Sequence, residues 1–326
     1  MKKYPTIIAL FFLGLITSAS TVQASGVQFV FDTESGQTLP TGMLASLQAA
    51  GNIWSSYLTP SFSGETIHVL IDYTSMGGTA TSAQLSSTGP TSFDANFDSG
   101  TSNSKYIANT YYPYALADHI AGTDSLTSQP TDQITMEINS DIGNASSGVL
   151  TGYSFYYGTN DQPTADTFNF EAIALHELMH GLGMVSYLQS NGSYSDAQGY
   201  PTVYDHYLYD KTANAMLMNE TQTARAASEI DGAIYFDGPD TLKDYGAMAP
   251  IYAPATFALG SSLMHVDPSV TDLMNPTQNL ASTNLTPSAL DLGILSDIGW
   301  TVVVPEPMCL SLIGVVMLLG YRRRAM

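Results

Sequence analysis

The stretch "HELMHGLGMVS" at residues 176–186 decides how the rest of the chain is read. His176 and His180 stand four positions apart with Glu177 between them. On a helix, positions i and i+4 share one face, so both imidazoles can point at one ion while Glu177 reaches a water beside it. This is the H-E-x-x-H arrangement of zinc hydrolases. Gly183 follows at a point where a helix can stop and turn. Two histidines leave a third protein ligand to be found, and Ser186 is a poor one because its hydroxyl stays protonated near neutral pH. H-E-x-x-H alone also occurs in unrelated buried helices. Here it lies in a helical pattern and is followed by a glycine.

The surrounding chain gives this stretch a setting. "VQFVFDT" (27–33), "ETIHVLIDYT" (65–74) and "DQITMEINS" (132–140) alternate as strands, and "YSFYYGT" (153–159) reads as a short edge strand. "PTGMLASLQAAGNIWSSYL" (40–58) has helical spacing. Residues 77–110 are rich in Ser, Thr and Gly and read as loops with a weak strand near 79–86. The motif helix is predicted over 164–183, with Asp166 or Thr167 as its N-cap and Gly181 and Gly183 stopping it. Later segments give a helix at 220–230 and a closing helix within 286–300. Strands first, then a long helix and a loop-rich second half, predict an α+β fold.

The chain has 326 residues, 9 Lys+Arg against 29 Asp+Glu, and a net charge of −20. Five of the basic residues lie at the ends: Lys2, Lys3, Arg322, Arg323 and Arg324. The body keeps only Lys105, Lys211, Arg225 and Lys243 against all acids but Glu306. Nucleic acid and anionic membrane surfaces are poor partners for a body of such a balance. The single cysteine, Cys309, lies near the C-terminus, so no disulfide supports the body.

Both ends read as processing segments. Residues 1–24 have two lysines, an apolar run and a small-residue ending, the pattern of a signal peptide cut after Ala24. Residues 305–326 carry Pro-Glu-Pro, an apolar stretch from Met308 to Gly320 and three arginines. That stretch is short for a permanent span of ~20 residues. The segment resembles the PEP-CTERM sorting tail of Gram-negative bacteria. The resemblance implies processing by an exosortase-type enzyme, transient membrane contact through the termini only, and release to the surface or exterior.

The motif itself resembles the metzincin metalloproteases, whose longer pattern is H-E-x-x-H-x-x-G-x-x-H. "DLMNP" (272–276) is similar to the A-L-M-Y-P Met-turn of the matrixin branch, with Met274 as the floor methionine. His265 stands nine residues before Met274, a run comparable to that between the third histidine and the Met-turn in matrixins. Leishmanolysin-like metzincins carry an insertion between the glycine and the third histidine, here about 187–259. The resemblance implies a zinc metalloprotease domain over 25–304, with a mixed sheet and active-site helix first and the Met-turn and closing helix last. It implies His176, His180 and His265 as zinc ligands, Glu177 as the base, Gly183 as the turn and Trp300 as core. It is strong over 166–183 and 260–300 and weaker over 26–140.

The implied activity is hydrolysis of protein or peptide substrates by an exported zinc endopeptidase. Other readings stand beside it. Asp196 could replace the third histidine, as aspartate does in some metzincin branches. Glu220 or Glu229 could serve in a gluzincin-type hydrolase. The chain could also be a non-catalytic acidic surface protein that keeps the helix for folding, or a zinc hydrolase that is not a protease. His68 is expected to be structural or solvent-facing, His119 to lie on a helix surface, and His206 to pack beside tyrosines. A structural calcium ion suits so acidic a chain, but no D-x-[DN]-x-[DN]-G loop is present, so no calcium ligands are assigned.

Overall fold

The computed structural model describes residues 26–97, 105–124, 131–195 and 198–303. The two processing segments read from the sequence and Asp196 lie outside the described residues. Within them the chain is α+β. It runs β1 (Gln28–Thr33), α1 (Met43–Tyr57), β2 (Thr66–Thr74), β3 (Ser86–Pro90), β4 (Phe93–Ala95), β5 (Tyr111–Pro113), α2 (Tyr114–Ala121), β6 (Ile134–Asn139), β7 (Ser154–Tyr156), β8 (Thr167–Asn169) and α3 (Phe170–Leu182). The later part adds β9 (Leu208–Asp210), β10 (Ala215–Met216), α4 (Gln222–Ser228), β11 (Ile234–Phe236), α5 (Pro239–Asp244), β12 (Ala249–Pro250) and α6 (Ala289–Ile298).

The main sheet has the order β1-β2-β6-β3. The first three strands are parallel, and β3 runs antiparallel to β6 at the edge. Alternation along β2 buries Ile67, Val69 and Ile71, and along β6 it buries Ile134, Met136 and Ile138. Those six side chains face the helices, because successive side chains of a strand point to opposite faces. Gly51 brings α1 onto β1, where a Cβ would stand 3.0 Å from that of Phe29. The Trp54 indole N–H donates to the Leu175 carbonyl at 2.9 Å and fastens α1 to α3.

Helix α3 is buried along its whole length. It therefore has no polar face, and the periodicity that marks a surface helix is weak in it. It starts later than the sequence suggests. Thr167–Asn169 pairs with β7, and Asn169, rather than Asp166 or Thr167, caps the helix by accepting the Glu171 N–H at 3.2 Å. Gly181 does not stop it. That glycine lies inside the helix and lets it approach β6, since a Cβ there would meet Ile134 at 2.6 Å. Gly183 does stop it, at φ +128°, with its N–H on the carbonyls of Met179 and His180. The Trp300 indole donates to the Leu182 carbonyl at 2.8 Å and seats α6 behind this turn.

One further expectation is corrected: the weak strand at 79–86 lies further on, as β3. Residues 187–259 are loop-rich as expected, and among their loops they hold a second sheet of order β10-β9-β11-β12 together with α4 and α5.

A methyl group at position 183 would stand 2.9 Å from Ile298 and would need a positive φ that L residues rarely adopt. Gly183→Ala is expected to cost about 1–3 kcal/mol of stability, read from the urea unfolding midpoint.

Candidate functional site

His176 and His180 project from the buried α3, and the segment ahead of the turn at 272–275 returns His265 to them. The three rings pack with centroids 4.8–5.2 Å apart. One nitrogen from each can serve a common ion, all within 4.8 Å of one another. The Nε2 atoms of His180 and His265 are 3.3 Å apart. A tetrahedral ion with bonds of ~2.0–2.1 Å sets its ligands about 3.3–3.4 Å apart, so this pair has the spacing of metal ligands.

The tautomers are set by the backbone. Nδ1 of His176 donates to the Leu273 carbonyl, that of His180 to the Met184 carbonyl and that of His265 to the Ser261 carbonyl, each at 2.8 Å. With Nδ1 carrying the proton, each Nε2 presents a lone pair to the centre. Burial comes first in holding all three imidazoles down to about 3, with charge on a neighbouring imidazole second. They are neutral near pH 7, the form a cation requires. Three neutral nitrogen lone pairs converging in a buried place fit a metal ion. The identity of that ion does not follow from the donors alone.

Each supporting carbonyl belongs to a different structural device. Gly183 reverses the chain so that Met184 can face back to His180. In the turn at 272–275, Asp272 accepts the Met274 N–H at 2.9 Å, and the Asn275 amide donates to the Val270 carbonyl at 2.9 Å. That turn exposes the Leu273 carbonyl to His176. Met274 is fully buried, and its own carbonyl accepts from the Val266 N–H at 2.8 Å, next to His265.

Glu177 lies in the same cleft, 7 % exposed, with its Oε1 accepting from the Ser86 hydroxyl at 2.5 Å. Burial raises its carboxyl to about 6, against the lowering effect of Ser86 and then Thr88. The cleft measures about 680 Å³ and is bordered by β3 on one side and by Asn275–Gln278 on the other.

The remaining candidates fall elsewhere. Ser186 accepts from the Leu188 N–H at 3.1 Å and takes no place among the three nitrogens. The excursion that begins there is anchored by the buried Asp205, whose Oδ2 accepts the N–H groups of Tyr187 and Thr202 at 3.1 and 2.9 Å. Glu220 accepts from Ser228 and Glu229 is buried, and neither joins the group of His176, His180 and His265. His206 binds the Thr110 hydroxyl at 2.8 Å. His119 is not on a helix surface. It is 3 % exposed, joined to Glu65 at 2.8 Å and packed on Trp300 with centroids 4.7 Å apart. Trp300 is itself core, at 2 % exposed.

Sequence reading missed Ser86 and the three carbonyls. Ser86 lies in a run of small polar residues without alternation, so nothing marked its hydroxyl as facing Glu177. The carbonyls carry no residue-type signal at all. Comparison with family models, curated proteins and solved structures finds no match for this chain.

The imidazoles titrate at about 6.5 when exposed and at about 3 here. Between those values the unfolded chain binds more protons, so they remove stability as pH falls. Buried carboxyls such as Glu229, raised to about 7, act in the opposite sense. Comparing variants separates the two effects. Metal-free His265→Gln is expected to lose less stability than metal-free wild type between about pH 7 and pH 4, measured by urea midpoints.

Proposed function

We propose that this protein is an exported zinc-dependent endopeptidase of the metzincin type, with His176, His180 and His265 as zinc ligands and Glu177 as general base. The observation that carries the reading is the convergence of three Nδ1-protonated imidazoles and one buried carboxylate on an open cleft. The donor set supports zinc, since three neutral imidazoles leaving an open position are a catalytic zinc arrangement. Gly183 and the turn holding Met274 lie where the metzincin pattern has its turn glycine and Met-turn.

A bound zinc ion would polarise a substrate carbonyl and lower the pKa of water to about 7. The rest falls to this chain's side chains. Ser86 holds Oε1 of Glu177 and fixes the plane of the carboxylate. Oε2 then takes a proton from the attacking water and passes it to the departing amine. A carboxyl near 6 suits both steps, because a proton carrier works best with a pKa near the working pH. The peptide specificity is supported by the edge position of β3, which lines the cleft and among the described residues pairs only with β6, so that an extended chain can add a strand there. Residues 276–288 would shape the pocket after the scissile bond. The signal-peptide-like sequence of 1–24 and the sorting-tail-like sequence of 305–326 support a location at the surface or exterior of a Gram-negative cell, with an exosortase-type enzyme acting on the tail.

Metal analysis of purified protein should find about one zinc at the histidine centre, lost in His265→Ala. Glu177→Gln should keep that zinc while cleavage of a peptide library falls by about 10²–10⁴-fold. Full cleavage by Glu177→Gln would refute the mechanism. Zinc binding by wild type without any cleavage would favour the non-catalytic reading. Ser86→Ala removes a hydrogen bond that favours ionised Glu177. Its acid limb in kcat/KM should therefore move to higher pH, as read from a pH–rate profile.

A further inference from the structure

We propose that Asp32, His68 and Asp132 form a second metal site, for a divalent transition-metal ion, on the outer face of the main sheet. One ligand atom from each of the three lies within 4.8 Å of the other two. His68 Nδ1 is 3.0 Å from Asp32 Oδ2. The imidazole sets this group apart from a patch of solvated acids, because histidine adds a directional nitrogen donor to the two carboxylates.

The sheet places all three. Strands β1 and β2 are parallel with Val30 opposite His68 and Asp32 opposite Leu70. Asp32 and His68 therefore both stand on the face opposite the buried Ile67 and Val69. Asp132 precedes β6, and its neighbour Gln133 locks that segment to β2 at His68. The Gln133 N–H donates to the His68 carbonyl at 2.9 Å, and its side-chain oxygen accepts the His68 N–H at 2.7 Å. Ligands carried on rigid, paired strands lose little entropy when an ion binds.

Charge favours a dication here. Among the described residues no lysine or arginine forms an ion pair with Asp32 or Asp132. The recorded lysine pairs are Lys105 with Asp240 and Lys243 with Asp244. Two carboxylates and a neutral imidazole balance a doubly charged ion. The mixed nitrogen and oxygen donors suit zinc, manganese, cobalt or nickel, whereas calcium takes oxygen ligands. Partial exposure leaves room for water ligands and makes this the weaker of the two sites. An ion there would tie edge strand β1, β2 and the start of β6 together across the sheet from α3. No residue of the proposed catalytic centre takes part.

The test is zinc titration of the chelator-treated full chain, by calorimetry and by elemental analysis after dialysis. Wild type is expected to bind two ions, one weaker than the other. His68→Ala should lose the weaker ion and keep the tighter one, and Asp132→Asn should weaken that ion at least tenfold. His265→Ala should do the reverse, so failure of the histidine centre is read separately from failure of this site. Circular dichroism of Asp132→Asn, which changes a loop residue, guards against misfolding. A single ion in wild type that His265→Ala removes, or a weaker ion unaffected by both His68→Ala and Asp132→Asn, would overturn the proposal.

Discussion

Three imidazole Nδ1–H groups, each held by a backbone carbonyl at 2.8 Å, are the constraint on which the rest of the structure depends. A ring free to rotate or to change tautomer would turn its lone pair away from the centre. The three carbonyls come from the turn after α3, from the segment ahead of His265, and from the turn that holds Met274. Each piece of chain must therefore be placed correctly before the nitrogens converge. Much of the fold around α3 can be read as meeting that requirement. Trp54 ties the helix to α1, Gly181 lets it sit against β6, and Trp300 closes α6 over its end.

Burial governs the electrostatics of the same region. Taking imidazoles out of water disfavours their charged forms, while taking a carboxylate out of water favours its proton. The two effects act in the same cleft and leave neutral ligands beside a carboxyl raised to about 6. The hydroxyl of Ser86 moderates the second effect from across the sheet edge. A helix with a solvated face could not produce either shift, and apart from Glu171 in its first turn α3 is apolar or small wherever it does not face the centre. Its Ala172, Ile173, Ala174, Leu175, Leu178 and Met179 are all core.

The excursion between Ser186 and His265 is a folded unit rather than a tether. Its second sheet and the buried Asp205 fix where it leaves and returns. A flexible loop of that length would return His265 to the centre only at a cost in chain entropy that grows with loop length. Ordered structure within the excursion meets that cost once, during folding.

Local patterns were readable from the chain alone. The i, i+4 spacing put His176 and His180 on one helical face, and short apolar runs with alternation located β1, β2 and β6. A closing helix was expected within 286–300 and is α6; its start at the Ser288–Asp291 capping box is a structural finding. His265 was reached through its distance from Met274 and a family likeness, with no local signal of its own. Asn169 took the cap from Asp166 and Thr167 because pairing of Thr167–Asn169 with β7 claimed Thr167 for a strand and left Asp166 in the turn ahead of it. His119, with an ordinary helical setting in sequence, was drawn into the core by Glu65 and Trp300. The sequence by itself determined which residues could bind and where the helix carrying two of them lay, because those signals are periodic and short-range. Tertiary structure alone decided that the Leu273 carbonyl meets His176, that the Ser86 hydroxyl meets Glu177 and that His265 completes the centre, because these contacts join residues 85 to 97 positions apart; the carbonyls of Met184 and Ser261 lie only four positions from their rings, but they are backbone atoms common to every residue and carry no residue-type signal.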